Sequence, residues 1–440
     1  MKTQRFETLQ VHGGYSPEKT TNSISTPIYQ SSCYTFNDTE HAKRLFKLEE
    51  FGNIYTRLMN PTTDVFEKRI AELEGGSGAL AVSSGMAAQF IALNNILESG
   101  DNFVTSPFVY GGSHNQFKVS FKRFGIDARF ALSDSVADME SLIDDKTKAL
   151  FVESIGNPGF SIPDFKALAE LAKKYDIPFI VDNTFGAAGF LIKPIEFGAN
   201  IVVEAATKWI CGHGTSIGGV IVDGGNFNWG NGKFPCISEP SPSYHGFNFW
   251  ENLGRDCPLG NIAYITKARV EGLRDFGPCI SPFNSFLIVQ GLETLSLRVE
   301  RTVENSLLLA NWLESLPEVE KVNYPGLESS SYHALAKQYF KRGYGGVLSV
   351  VFKGSKEFTS RFVDNLELIS HLTNVGDVRT LIVQPSATTH QQLSDADQLS
   401  AGVEPSMLRI SLGIEHIEDI KDDILKSLSK TKKELGEYGL

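Results

Sequence analysis

The chain has 440 residues, 41 basic against 52 acidic side chains, and a formal net charge of −11. With 41% apolar and 21% charged residues it has the make-up of a soluble globular protein, long enough for two domains. The acidic balance argues against nucleic acid or an anionic membrane surface as main partner. No apolar run approaches the roughly 20 residues that a membrane helix needs.

The opening MKTQRFETLQ lacks the apolar core of a signal peptide. Five cysteines, widely spaced and without a CxxC, fit free thiols in a reducing compartment better than disulfides or a zinc site. A cytoplasmic protein without a metal centre is expected.

Residues 1–60 are polar and punctuated by Gly13, Gly14, Pro17, Pro27 and Gly52. An irregular arm of that length is uncommon inside a compact domain, and packing on a neighbouring subunit would explain it. The arm ends in YTRLMNPT, residues 55–62. Asn60-Pro61-Thr62 is a good helix start, with Val65, Ile70 and Leu73 following at roughly helical spacing. Arg57 and the Tyr55 hydroxyl could clamp an anion, or simply belong to the turn.

Residues 79–88 read as a short apolar strand, a small-residue turn and a helix. Free N–H groups at such a helix start, with the Ser84 hydroxyl, suit a phosphate. Neither GxGxxG nor a Walker motif is present, so a lone phosphate fits better than a dinucleotide or ATP.

Apolar strands at 102–105, 149–153, 178–181 and 201–203 then alternate with helical segments such as 163–175. That alternation predicts an α/β fold: a mostly parallel sheet with helices on both faces, and ligands at the carboxyl ends of its strands. Ser84, Asp182 and the Thr207-Lys208 pair lie at or just after such ends. Asp182 could cap a turn, or could partner a pyridinium nitrogen. Lys208, flanked by Thr207 and Trp209, could be a solvated strand-end lysine, or a desolvated nucleophilic amine.

Residues 224–260 form a long Gly-, Pro-, Asn- and Ser-rich segment, of a length usually functional or interfacial. A long helix is expected over 294–316, suited to connect two domains. A smaller α+β domain with a strand over 345–352 follows. Arg409 stands alone in an apolar strand-like run, where it could bind a carboxylate or form an internal ion pair.

Taken in order, YTRLMNPT, SSGMA, VYGG, the run from Glu153 to Pro158, VDNT, ATKW and LRISLGIE resemble the Cys/Met-metabolism family of fold-type I PLP (pyridoxal 5′-phosphate) enzymes. The resemblance spans nearly the whole chain. It implies an N-terminal arm (1–60) against a neighbouring subunit, a PLP-binding large domain (61–292) and a small domain (293–440). It further implies that Lys208 carries PLP and shuttles protons, and that Asp182 binds the pyridine nitrogen. Ser84, Gly85, Met86 and Thr207 would cradle the phosphate. Tyr55 and Arg57 would reach the neighbour's phosphate, giving a homodimer that pairs into a homotetramer. Tyr110 would stack on the ring and assist acid–base steps, with Asn157 and Thr184 close to the ring. Arg409 and Asn374 would contact the substrate.

One position departs from the family pattern. Many members carry serine three residues before the lysine, and here it is Ala205, after Glu204. One phosphate hydrogen bond would be missing, a loss of roughly 1.5–3 kcal/mol. Within the family, the 224–260 insertion, Asn374-Val375-Gly376-Asp377 and Ala387-Thr388-Thr389-His390 are similar to the O-acetylhomoserine sulfhydrylase branch. That branch implies γ-replacement on O-acetylhomoserine by sulfide or another thiol. An O-succinyl substrate, cystathionine formation, γ-elimination or a non-catalytic binding role are the alternatives.

Overall fold

The computed structural model describes residues 4–157, 159–388, 391 and 402–435. Seven strands build the larger sheet: β1 Gly78–Val82, β2 Asn102–Thr105, β3 Asp127–Phe130, β4 Thr147–Glu153, β5 Phe179–Asp182, β6 Ile201–Glu204 and β7 Gly219–Asp223. Their order is β1-β7-β6-β5-β4-β2-β3. β3, β2, β4, β5 and β6 pair in parallel, while β7 runs antiparallel between β6 and β1.

Strand alternation sets the layers. Leu150, Val152, Val181 and Val202 enter one buried core, and Phe151, Ile180, Ile201 and Val203 enter another on the opposite face. Both faces are therefore covered, which is why these strands read as continuous apolar runs.

A second, mostly antiparallel sheet holds β8 Val319–Asn323, β9 Val347–Phe352, β10 Ser370–His371, β11 Leu381–Val383 and β12 Met407–Ser411, in the order β10-β11-β12-β9-β8. Helix Leu295–Glu314 joins the two bodies. Its Leu295, Val299 and Val303 lie in the core of the larger sheet, whereas Leu309, Ala310 and Leu313 lie in that of the smaller.

The N-terminal segment is more regular than its composition suggests. It contains helices Phe6–His12 and Thr39–Phe46. Part of it packs on its own chain: Phe6 meets the Phe190 ring edge-on at 5.0 Å, and Gln10 donates to Ser296 Oγ at 2.9 Å. The 224–260 segment is likewise not an open loop. Helices Pro235–Ser238 and Phe249–Leu253 interrupt it, and Trp229, Phe234 and Phe249 are fully buried. Trp229 stacks on Tyr264 at 5.0 Å. Aromatic area outweighs the turn-forming composition here.

Candidate active site

The carboxyl ends of β4, β5 and β6 meet the start of helix Gly85–Asn94 around a cavity of about 280 Å³. Ser84, Gly85, Met86, Tyr110, Asn157, Asp182, Thr184, Ala205, Thr207, Lys208 and Arg409 line it. Ser84 caps the helix by accepting from the Ala87 N–H at 3.2 Å. The N–H groups of Gly85 and Met86 find no protein acceptor among the described residues. Gly85 is required by closeness, since a Cβ there would lie 2.6 Å from the Ala205 Cβ.

Asp182 closes β5 and accepts from the Thr184 N–H at 2.9 Å. Thr184 Oγ1 in turn accepts from the Ala205 N–H at 2.9 Å, tying the ends of β5 and β6 together. Thr207 Oγ1 exchanges hydrogen bonds with Gly218, at 3.1 Å from its N–H and 3.2 Å to its carbonyl. Lys208 Nζ donates to Asn374 Oδ1 at 2.6 Å. Arg409, on β12 of the second sheet, donates to Asn157 Oδ1 at 3.4 Å and to the Thr373 carbonyl at 3.1 Å.

Burial drives the electrostatics. It lowers the Lys208 amine to about 8, helped by the nearby Arg409 charge. It lowers Arg409 to about 10, partly offset by Tyr110. Neither cation has an ion-pair partner among the described residues. A buried guanidinium left without a carboxylate is a site for an anionic group. Burial also raises Asp182, to about 6, against the two hydrogen bonds of Thr184.

Of the expected site residues, Asn374 sits on Lys208 itself rather than among the cavity-lining residues, where Thr373 and Val375 stand. Tyr55 and Arg57 lie outside this chain's cavity. Tyr55 is half-exposed and bridges Cys33. The Arg57 guanidinium lies 5.4 Å above the Tyr55 ring and donates to the Arg274 carbonyl. Thr389, His390 and Pro158 lie outside the described residues.

Sequence reasoning missed two supports. Arg298 on the connecting helix clamps the lysine loop, donating to the carbonyls of Trp209 at 2.9 Å and Gly291 at 2.6 Å. Glu153, paired in register with Asp182, lines the cavity and accepts from the Tyr110 N–H at 2.6 Å. The signal for Glu153 was a second acidic residue ending a buried strand; Arg298 gave none, being one of several charges on a long helix.

The donor set fits PLP. Unpaired N–H groups at a helix start suit a phosphate, a buried carboxylate suits a ring nitrogen, and a desolvated lysine suits a carbonyl. The chain belongs to the family described as Cys/Met metabolism PLP-dependent enzymes, which matches residues 7–429. It is 52% identical to an O-acetyl-L-homoserine sulfhydrylase of Thermus thermophilus, over 97% of this chain and 100% of that protein. It is 50% identical to a homocysteine synthase of Schizosaccharomyces pombe, over 97% and 99% of the two chains. Among solved structures, a Campylobacter jejuni O-acetylhomoserine (thiol)-lyase carrying pyridoxyl-lysine phosphate superposes with a TM-score of 0.92. That structure is 38% identical and covers 97% of this chain and 100% of its own.

Proposed function

We propose that this chain is a PLP-dependent transferase that converts O-acetyl-L-homoserine and sulfide into L-homocysteine and acetate. The observation that carries the reading is full-length similarity to sulfhydrylases, at 52% identity, joined to a cavity that gathers Lys208, Asp182, Tyr110 and Arg409.

PLP, when bound, supplies a carbonyl that links to amines and a ring that draws electrons from the substrate α-carbon. Lys208 would hold the cofactor and Asp182 its ring nitrogen. The N–H groups of Gly85 and Met86, with the Ser84 and Thr207 hydroxyls, would face its phosphate. Asn157 and Thr184 would flank the ring and Tyr110 would cover it. Arg409 would receive the substrate carboxylate, and Asn374, which accepts from Lys208 Nζ at 2.6 Å, would contact the substrate beside that amine. Lys208 Nζ, whose proton burial makes easier to lose, takes a proton from the α-carbon in its neutral form and delivers it onward. A second proton leaves the β-carbon, the γ-carbon–oxygen bond breaks, and acetate departs. Hydrosulfide forms the γ-carbon–sulfur bond, and both protons return to carbon. The net change is acetate replaced by sulfide, with no oxidation.

Tyr55 and Arg57 would complete the phosphate site of a second copy, making the working unit a homodimer that pairs into a homotetramer. Their position outside their own cavity supports this. The five cysteines are free, which supports a reducing cytoplasm. No described helix is long and apolar enough to cross a membrane.

The test is a matrix of O-acetyl- and O-succinylhomoserine against sulfide and cysteine on purified protein. Homocysteine from the acetyl ester and sulfide should dominate. Comparable conversion of methionine to a ketoacid and a thiol would overturn the synthase reading.

A further inference from the structure

Glu153 is 8% exposed, ends β4 on the cavity wall, and is paired in register with Asp182 at the end of β5. Side chains at paired positions of neighbouring parallel strands lie on the same face of the sheet. Two carboxyl groups thus stand side by side in a buried pocket. No ion pair joins either to a cation among the described residues. One Glu153 oxygen accepts from the Tyr110 N–H at 2.6 Å. Tyr110 itself sets out from that anchor: it precedes helix Gly111–Asn115, and a Cβ on Gly112 would overlap its ring.

We infer that Glu153 is a positioning residue: it anchors the Tyr110 backbone at the cavity wall and carries the proton of the Glu153–Asp182 pair, leaving Asp182 as the anion. The inference rests on the reading of Asp182 and Tyr110 as contacts of the PLP ring. Two adjacent buried carboxylates cannot both ionise cheaply, so one retains a proton. The surroundings decide which. Burial, Asp182 and Asp134 all push Glu153 upward, with only the Tyr110 N–H opposing them. Asp182 is steadied by both donors of Thr184 and sits lower. Across the cavity, Lys208 and Arg409 are the facing cations, and Tyr110 presents its phenol. A charged Glu153 would force a proton onto Asp182 and cancel the negative charge that a ring nitrogen needs. A neutral one does not.

Glu153→Gln removes the ionisable proton but keeps an oxygen able to accept from Tyr110. In the holoenzyme, the wild-type-minus-E153Q infrared difference spectrum at about pH 8 should contain the carbonyl stretch of a protonated carboxylic acid. The pH midpoint of the bound chromophore should move by less than about half a unit. Glu153→Ala, which deletes the anchor as well, should weaken PLP binding about tenfold relative to E153Q, the size of one lost hydrogen bond. Carboxylate bands in place of the acid band, or a midpoint shift of about one unit or more in E153Q, would overturn the inference. Equal PLP affinity of E153A and E153Q would remove the anchoring role. Asp182→Asn tests the parent reading separately: an unaltered chromophore there would sink the PLP contact of Asp182, while the infrared band of Glu153 would stand.

Discussion

Lys208 shows how little a residue type decides by itself. Most lysines are solvated, and this one stands in an apolar stretch that any buried strand end could supply. Its chemistry comes from burial, which brings the amine to about 8, and from Asn374, which holds Nζ at 2.6 Å. Ala205 is the converse case, a position defined by the hydroxyl it lacks. Its N–H is engaged by Thr184 at 2.9 Å and its methyl group fills the space against Gly85. Ala205→Ser should add one charge-assisted hydrogen bond to the cofactor phosphate. That is worth roughly 1.5–3 kcal/mol, or about a tenfold to hundredfold tighter dissociation constant. Titration of the apoprotein with PLP measures it, and unchanged affinity would mean another donor already fills that role.

At the scale of the element, the site is a product of strand ends and the loop between β6 and β7. Ala205 to Gly218 carries Thr207 and Lys208, and the connecting helix pins it through Arg298. Burial lowers the Arg298 guanidinium to about 10, and carbonyl oxygens rather than a carboxylate satisfy it. Arg298→Met would leave the carbonyls of Trp209 and Ile210 without this donor, while the Gly291 carbonyl keeps Thr294. Each unsatisfied buried group costs about 1–3 kcal/mol, so a loss of several kcal/mol is expected, with weaker PLP retention. Thermal unfolding and cofactor release on dilution would record both. Arg298→Lys should recover only part, because an ammonium cannot reproduce the planar fork. The element scale is also where sequence pattern was most legible. The apolar runs of β4, β5 and β6 and the Asn60 cap, which accepts from the Thr62 N–H at 2.9 Å, stand where local chemistry placed them. β7 was not legible, because its antiparallel course follows from pairing with β1 and β6 rather than from any local signal.

Across the whole molecule, two sheets with separate cores close one cavity, and Arg409 reaches it from the second sheet. Assembly supplies a prediction at this scale. If Arg57 serves the neighbour's site, Arg57→Ala and Lys208→Ala proteins, each nearly inactive, should regain activity when unfolded together and refolded. A mixed dimer then holds one site with both residues intact, and random pairing restores about a quarter of wild-type activity. No recovery would place Arg57 in its own subunit's chemistry. The buried acids supply a second. Asp223, at the end of β7, accepts from the Gly225 N–H at 2.9 Å, and its other oxygen has no hydrogen-bond partner among the described residues. Burial raises it to about 7 from 3.8. The folded state therefore favours its protonated form, and the stability this contributes is lost as pH rises from about 4 through about 7. Asp223→Asn stays neutral, so its melting temperature relative to wild type should be more favourable at pH 8 than at pH 5. A constant difference would mean that Asp223 does not titrate in that window.

The sequence by itself determined the alternation of strands and helices, the ordered motifs, and the residues at the strand ends, because these follow from local periodicity and side-chain chemistry. The order of strands, the burial of the 224–260 aromatics, the Arg298 clamp and the pairing of Glu153 with Asp182 were decided only by tertiary structure. Each depends on residues far apart in the chain being brought into one desolvated place, and no local pattern records the dielectric or the neighbours they meet there.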